Sequence, residues 1–290
     1  MKTPLFTGVC TAMVTPFLDG KVNYPMLEML LSRQMDAGIE AVVISGTTGE
    51  SATLTDEEKL TLFRRCKEFV GNRMKIIAGT GSNSTEHTIY LSKEAEKLGV
   101  DGLLIVTPYY NKTTPEGLNA HYGTIANAVS IPIILYNVPS RTGLDLPISV
   151  CRELSKMENI NGIKEASTSI TKIAGLRAAC REDFSIWSGN DDMITPILSL
   201  GGKGVISVLS NLLPVETNVL VHAGLDGDFD TASDLQCRLL PLIDLLFCEV
   251  NPIPIKQAMA IMGYDCGACR LPLVPMKPEN AEKLRKYLGK

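Results

Sequence analysis

No Lys/Arg-dense run occurs anywhere in this chain, and its formal net charge is −4. That balance excludes a nucleic-acid or anionic-membrane partner, because binding to either rests on clustered positive charge. No apolar run approaches the roughly 18 uninterrupted residues of a membrane span. After Lys2 the stretch from Thr3 to Leu18 is uncharged, but Pro4 and Pro16 punctuate it. It therefore reads as an opening β-strand and not as a signal peptide or membrane helix. The three histidines, His87, His121 and His222, lack the spacing of a zinc hydrolase. No H-E-x-x-H, G-x-S-x-G or G-x-G-x-x-G motif occurs, and no Gly-Lys-Ser/Thr follows a glycine-rich turn. Metal-dependent, serine-hydrolase and dinucleotide chemistry thus lack their parts, and neither a metal nor a cofactor is expected.

Cysteine is present but sparse, at positions 10, 66, 151, 180, 237, 248, 266 and 269. Most of these sit inside apolar periodic segments, which marks them as buried thiols of a reducing cytosol and predicts a cytoplasmic protein. Cys266 and Cys269 have metal-site or redox spacing, yet no second Cys pair or Cys/His pair follows, so a zinc ribbon is unsupported.

What the chain does contain is core material: 45% hydrophobic and 21% charged residues over 290 positions. That composition is globular and free of any mark of disorder. Short apolar runs recur at intervals of roughly 20 to 35 residues, the repeat of successive strand–helix units. Eight are identified, at Val9–Val14, Ala41–Ser45, Lys75–Ala78, Gly102–Thr107, Pro132–Tyr136, Gly162–Glu165, Ser185–Ser188 and Gly204–Val208. Each is nearly continuous in apolar residues, as a strand covered on both faces should be. Between them lie helical stripes such as Leu27, Leu30, Leu31 and Met35, or Leu62, Phe63, Cys66, Phe69 and Val70. Thr55 with Glu58 predicts a capping box, and Pro115 suits the first turn after Thr114. The alternation predicts an α/β fold, a (β/α)8 TIM barrel over residues 1–224. An open doubly wound sheet is the structural runner-up. Apolar clusters in 235–247, 255–262 and 281–288 predict a helical extension over 225–290, packed on the barrel.

In such a barrel the active site lies at the C-terminal ends of the strands. Those ends carry Ser45-Gly46-Thr47-Thr48-Gly49-Glu50, Tyr109-Tyr110-Asn111, Tyr136-Asn137, Lys164-Glu165 and Gly189-Asn190. Lys164 stands in an otherwise apolar strand, where lost hydration disfavours a charged amine. A neutral amine there can attack a ketone and form a Schiff base. The plainer alternative is a lysine that pairs with Glu165 or snorkels outward, although adjacent strand residues point to opposite faces. Tyr136 fits either a proton relay or ordinary strand-end packing, and Arg141 either a substrate carboxylate or a surface salt bridge. The Gly46–Gly49 turn offers N–H groups and hydroxyls to a small carboxylate at a helix entrance.

With Gly46-Thr47-Thr48-Gly49-Glu50-Ser51, Pro108-Tyr109-Tyr110-Asn111, the run from Tyr136 to Gly143, and Gly162-Ile163-Lys164-Glu165-Ala166, the chain resembles the 4-hydroxy-tetrahydrodipicolinate synthase family along essentially its whole length. The resemblance implies a lyase of class I aldolase type in which Lys164 forms an imine with pyruvate. Tyr136, Thr48 and Tyr110 would form a hydroxyl relay, Tyr110 coming from a neighbouring subunit of a dimer within a homotetramer. It further implies Thr47 and Thr48 on the pyruvate carboxylate, Arg141 on the carboxylate of L-aspartate 4-semialdehyde, and the backbones of Gly189 and Ile206 around the site. The product would enter diaminopimelate and lysine biosynthesis.

Two other readings stay open. A sugar-acid lyase of the N-acetylneuraminate lyase kind would share the lysine and tyrosine, and Arg141 argues against it because an unmet charge is costly. A keto-acid-binding sensor would need no reactive amine. The resemblance also marks an effector site for lysine at Ser51, Ala52, Lys59, Asn83, His87 and Tyr109. His87 stands where lysine-sensitive members carry glutamate and Lys59 where many carry histidine, so weak or absent feedback is expected.

Overall fold

The computed structural model describes all residues, 1–290. The aliphatic runs form eight parallel strands: β1 Gly8–Ala12, β2 Ala41–Ile44, β3 Lys75–Gly79, β4 Gly102–Val106, β5 Ile133–Asn137, β6 Ile160–Glu165, β7 Ser185–Ser188 and β8 Gly204–Ser207. Each pairs with the next, and β8 closes on β1 through Gly8↔Gly204 to Thr11↔Ser207, so the sheet is a closed barrel and not an open one. The eight expected strands are all present, with ends displaced by a residue or two. The first stops earlier than Val14, whose N–H goes to Asn211 Oδ1 at 3.1 Å instead of to a strand partner. Beyond Pro16, Phe17–Leu18 folds back on Lys21–Val22 as a small hairpin.

The continuous apolar runs reflect burial on two faces. One set of side chains, including Val9, Val42, Ile76, Leu103 and Ile133, packs outward on the helices. The alternate set, including Cys10, Val43, Ile77, Leu104, Ile134 and Ile206, fills the barrel interior. Phe6 stacks there on Trp187, ring centroids 4.9 Å apart. The seam between β8 and β1 is closed by Gly204, at φ +140°, where a Cβ would fall 1.8 Å from Gly8 O. Only glycine tolerates that approach and that backbone.

Around the barrel run α1 Tyr24–Asp36, α2 Asp56–Val70, α3 Thr85–Lys97, α4 Pro115–Ala126, α5 Ile148–Leu154, α6 Ile170–Ala179, α7 Ile194–Ser199 and α8 Pro214–Leu225. The capping box of α2 forms as expected: Glu58 N donates to Thr55 Oγ1 at 3.2 Å and Thr55 N to Glu58 Oε2 at 3.0 Å. Pro115 opens α4, with Thr114 capping it through Gly117 N.

Three more helices follow, α9 Phe229–Leu246, α10 Ile253–Ile261 and α11 Pro278–Tyr287. This C-terminal part is not helical throughout: Gly263, at φ +93°, ends α10, and the chain runs in turns and loops to Lys277. All eight cysteines are free thiols, but Cys237 and Cys248 are exposed, contrary to the buried reading. Cys237 lies off the α9 stripe that faces inward, Gln236, Leu239, Ile243 and Leu246, and Cys248 follows the helix end. No helix is long and apolar enough to cross a membrane.

Candidate active site

The barrel parity decides which strand-end residues share the interior. Tyr136 on β5, Lys164 on β6 and Trp187 on β7 are in register across neighbouring strands. Lys164 is 5% exposed, and its Nζ lies 4.4 Å from the centre of the Tyr136 ring. Four lysines of the chain are buried: Lys59, Lys164, Lys172 and Lys256. Lys172 pairs with Asp145 and lies 3.6 Å from Glu165, Lys256 lies 2.7 Å from Glu50, and Lys59 is 4.0 Å from Asp56. Lys164 alone has no carboxylate partner. Glu165, next in sequence, points to the other face, where it accepts from Asn137 Nδ2 at 2.9 Å and from Ser167 N at 2.7 Å. The pairing of Lys164 with Glu165 is therefore excluded by strand geometry.

A cavity of about 610 Å³ opens above this layer, lined among others by Thr47, Tyr136, Arg141, Asn251 and Pro252. Lys164 is not among the residues that line it, but its Nζ lies over the ring of Tyr136, which does. A second cavity of about 350 Å³ borders the β6 and β7 ends at Ala166, Ser167, Asn190 and Asp191. Asp191 accepts from the N–H groups of Val208 and Leu209 at 3.0 and 2.9 Å, which ties the β8 end down; its burial pushes the carboxyl pKa up. Burial likewise raises the thiol of Cys10 inside the barrel, opposed by the Lys164 charge. Gly189 donates its N–H to Glu165 O at 2.7 Å, and a Cβ there would meet Ala166 Cβ at 2.6 Å. Ile206 is fully buried in the barrel interior.

The loop after β2 is strained at both ends, with Ser45 at φ 60° and Glu50 at φ 57°. Such left-handed non-glycine residues persist only where surroundings hold them. Gly79 permits the packing: a Cβ there would fall 2.2 Å from Ser45 O. Within the turn, Gly49 and Ser51 donate to Gly46 O and Glu50 to Thr47 O, which leaves the N–H groups of Thr47 and Thr48 unengaged. The expected helix entrance is corrected: a short 3₁₀ turn, Ser51–Thr53, separates this loop from α2. The N–H groups and hydroxyls, and not a helix dipole, are what the turn offers an anion.

The C-terminal segment holds the loop from outside the barrel, and nothing in local sequence patterning reveals it. Asn251 Nδ2 donates to Thr48 Oγ1 at 3.0 Å, Lys256 pairs with Glu50, and Arg270 N donates to Glu50 Oε2 at 2.8 Å. Arg141 is exposed at the cavity rim and forms no salt bridge; its Nη2 donates to Asn251 O at 3.2 Å. Tyr110 is 92% exposed at φ 69° and does not reach the cavity within the chain.

Of the expected effector residues, Ser51, Ala52, Lys59, His87 and Tyr109 line the 610 Å³ cavity. Asn83 does not, its carbonyl accepting from Asn111 Nδ2 at 3.0 Å. Asp56, missed in the sequence reading, sits between the two basic residues: His87 Nε2 lies 2.9 and 3.1 Å from its oxygens. Burial lowers the Lys59 pKa, partly opposed by that same carboxylate.

Comparison with known proteins agrees with this architecture. The family model described as "Dihydrodipicolinate synthetase family" matches residues 5–290. A 4-hydroxy-tetrahydrodipicolinate synthase from Caldicellulosiruptor saccharolyticus is 51% identical over 286 residues, 98% of this chain and 97% of its own. The crystal structure of dihydrodipicolinate synthase from Aquifex aeolicus is 42% identical and superposes with a TM-score of 0.96, covering 98% of this chain and 97% of that one. The enzyme from Cyanidioschyzon merolae, solved with lysine bound, is 41% identical with a TM-score of 0.95, covering 99% and 98%. With a closed eight-stranded barrel, a buried lysine without a carboxylate partner inside it and similarity of this extent end to end, the chain belongs to the dihydrodipicolinate synthetase family.

Proposed function

We propose that this protein is a lyase of the 4-hydroxy-tetrahydrodipicolinate synthase type, condensing pyruvate with L-aspartate 4-semialdehyde on Lys164. The observation that carries the reading is that Lys164 alone among the buried lysines lacks a counter-ion. An amine without a carboxylate to hold its proton is suited to attack the ketone of pyruvate, expelling water and leaving an imine. The imine withdraws the electron pair as a proton leaves the adjacent methyl, and the resulting enamine adds to the aldehyde carbon. The semialdehyde's amino group can then close on the imine carbon and release the Lys164 amine, which yields the cyclic product.

In this reading Tyr136, over the lysine, carries protons to and from the carbinolamine together with Thr48 and Tyr110. The free N–H groups of Thr47 and Thr48 take the pyruvate carboxylate, and the backbones of Gly189 and Ile206 border it. Arg141, free of any carboxylate partner, takes that of the semialdehyde by a paired hydrogen bond. The exposure and strained backbone of Tyr110 support its insertion into a neighbouring subunit, hence a dimer as the smallest working unit of a homotetramer. Eight free thiols fit a cytoplasmic, reducing location.

The test is the rate of pyruvate consumption with L-aspartate 4-semialdehyde beside that with N-acetylmannosamine. Preference for the semialdehyde is expected. Preference for the sugar would mean that Arg141 does not select the aldehyde, and turnover with neither would leave a keto-acid-binding protein.

Lysine should inhibit weakly. Of the two carboxylates that line the cavity, Asp56 is already engaged by His87 and Glu50 by Lys256, and Lys59 adds a like charge to the ligand's own. Half-inhibition is expected no lower than about 1 mM lysine, a binding free energy of about −4 kcal/mol. His87→Glu should lower that concentration. Strong inhibition of the native protein well below that concentration would refute the expectation.

A further inference from the structure

We propose that Asn251 is a positioning residue that sets the direction of the Thr48 hydroxyl proton and joins the two halves of the substrate site. A threonine hydroxyl has one proton and two lone pairs and turns freely unless a neighbour fixes it. Thr48 is 2% exposed, and the Asn251 amide donates to its oxygen at 3.0 Å. With that side committed to accepting, the hydroxyl proton is directed away from Asn251. A group meant to hand a proton onward needs this asymmetry.

Asn251 is itself well held. It is 6% exposed, its main-chain carbonyl accepts from Arg141 Nη2 at 3.2 Å, and α10 begins two residues later at Ile253. The side-chain amide N–H of one residue thus fixes a hydroxyl on the loop after β2, 203 positions away, while its main-chain carbonyl holds the guanidinium on the loop after β5. The inference rests on the reading of Thr48 as part of the proton relay.

A double-mutant cycle on the full-length protein tests it, with N251A, Thr48→Val and the combination assayed for pyruvate and aspartate-semialdehyde turnover. N251A is expected to lower kcat about tenfold to a hundredfold, the penalty of a misaligned reacting group, while the KM for pyruvate changes less than about threefold. In the Thr48→Val background the same change should cost less than about twofold, because coupled residues do not act additively. Should the alanine variant fail to fold, the isosteric N251D keeps the volume, removes the donor and should show the same loss.

Losses at the two positions that simply multiply would show that Asn251 acts elsewhere and would overturn the inference alone, as would a kcat for N251A near native. A Thr48→Val variant with near-native kcat would instead remove the relay reading, and the inference with it. A loss in N251A confined to a raised KM for both substrates would mark a general packing role and also refute it.

Discussion

Lys164→Ala is expected to abolish condensation, lowering kcat on the order of 10⁴-fold or more, as removal of a covalent nucleophile does elsewhere. At about 1.4 kcal/mol per tenfold, that is more than about 5 kcal/mol of transition-state stabilisation. The loss follows from chemistry and not from damage to the barrel. Lys164 has no ion pair to break and truncating it strands no carboxylate, so the thermal midpoint should change little. Lys164→Arg should be equally inactive, because a guanidinium does not lose its proton in proteins and cannot add to a ketone. Borohydride reduction with pyruvate should add a reduced pyruvate adduct to the peptide holding residue 164 in the native protein, and none in either variant. Turnover above about a tenth of native in Lys164→Ala would remove the imine route altogether.

Lys256→Met is expected to cost about 3 to 5 kcal/mol of folding stability, the usual penalty for stranding one member of a buried ion pair. The two side chains are 4% and 1% exposed, and Nζ lies 2.7 Å from Glu50 Oε1 in a close contact that is not a straight hydrogen bond. Without the ammonium, Glu50 keeps the Arg270 N–H, and Phe17 loses one of the two cations, Lys256 and Arg270, that each lie 4.4 Å from its ring centre. Glu50 is also one of the left-handed residues that shape the Thr47–Thr48 turn, so the KM for pyruvate should rise as stability falls. Pairing the change with Glu50→Gln removes the stranded charge and should recover most of the stability, measured by denaturant midpoint. A single variant within about 1 kcal/mol of native would mean that the pair contributes little.

The strands were legible because burial on two faces leaves a mark in composition: Ala41 to Ile44 or Leu103 to Val106 admit no polar side chain, and the intervals between them match a barrel. Helix starts were legible because capping is local, as at Thr55 and Glu58. Lys164 stood out because a lysine in such a run conflicts with burial, and such conflicts mark functional sites. The exposed Cys237 and the irregular path from Gly263 were misread because a mixed apolar stretch has no period strong enough to say which face is covered. Asp56 between Lys59 and His87 was missed for another reason: it links α2 to a residue 31 positions on, which no local pattern reports.

By itself, then, the amino-acid order determined the barrel and the set of groups at the strand ends, Lys164 among them, since each depends on residues within one strand, turn or helix. Only the tertiary structure decided which lysine is without a counter-ion, and that Asn251 and Lys256 return to Thr48 and Glu50 across some two hundred residues. Those choices depend on how the segment from Asn251 into α10 packs back on the loop after β2. Long-range packing is set by the burial of whole faces against one another, so it leaves no periodic or local mark along the chain.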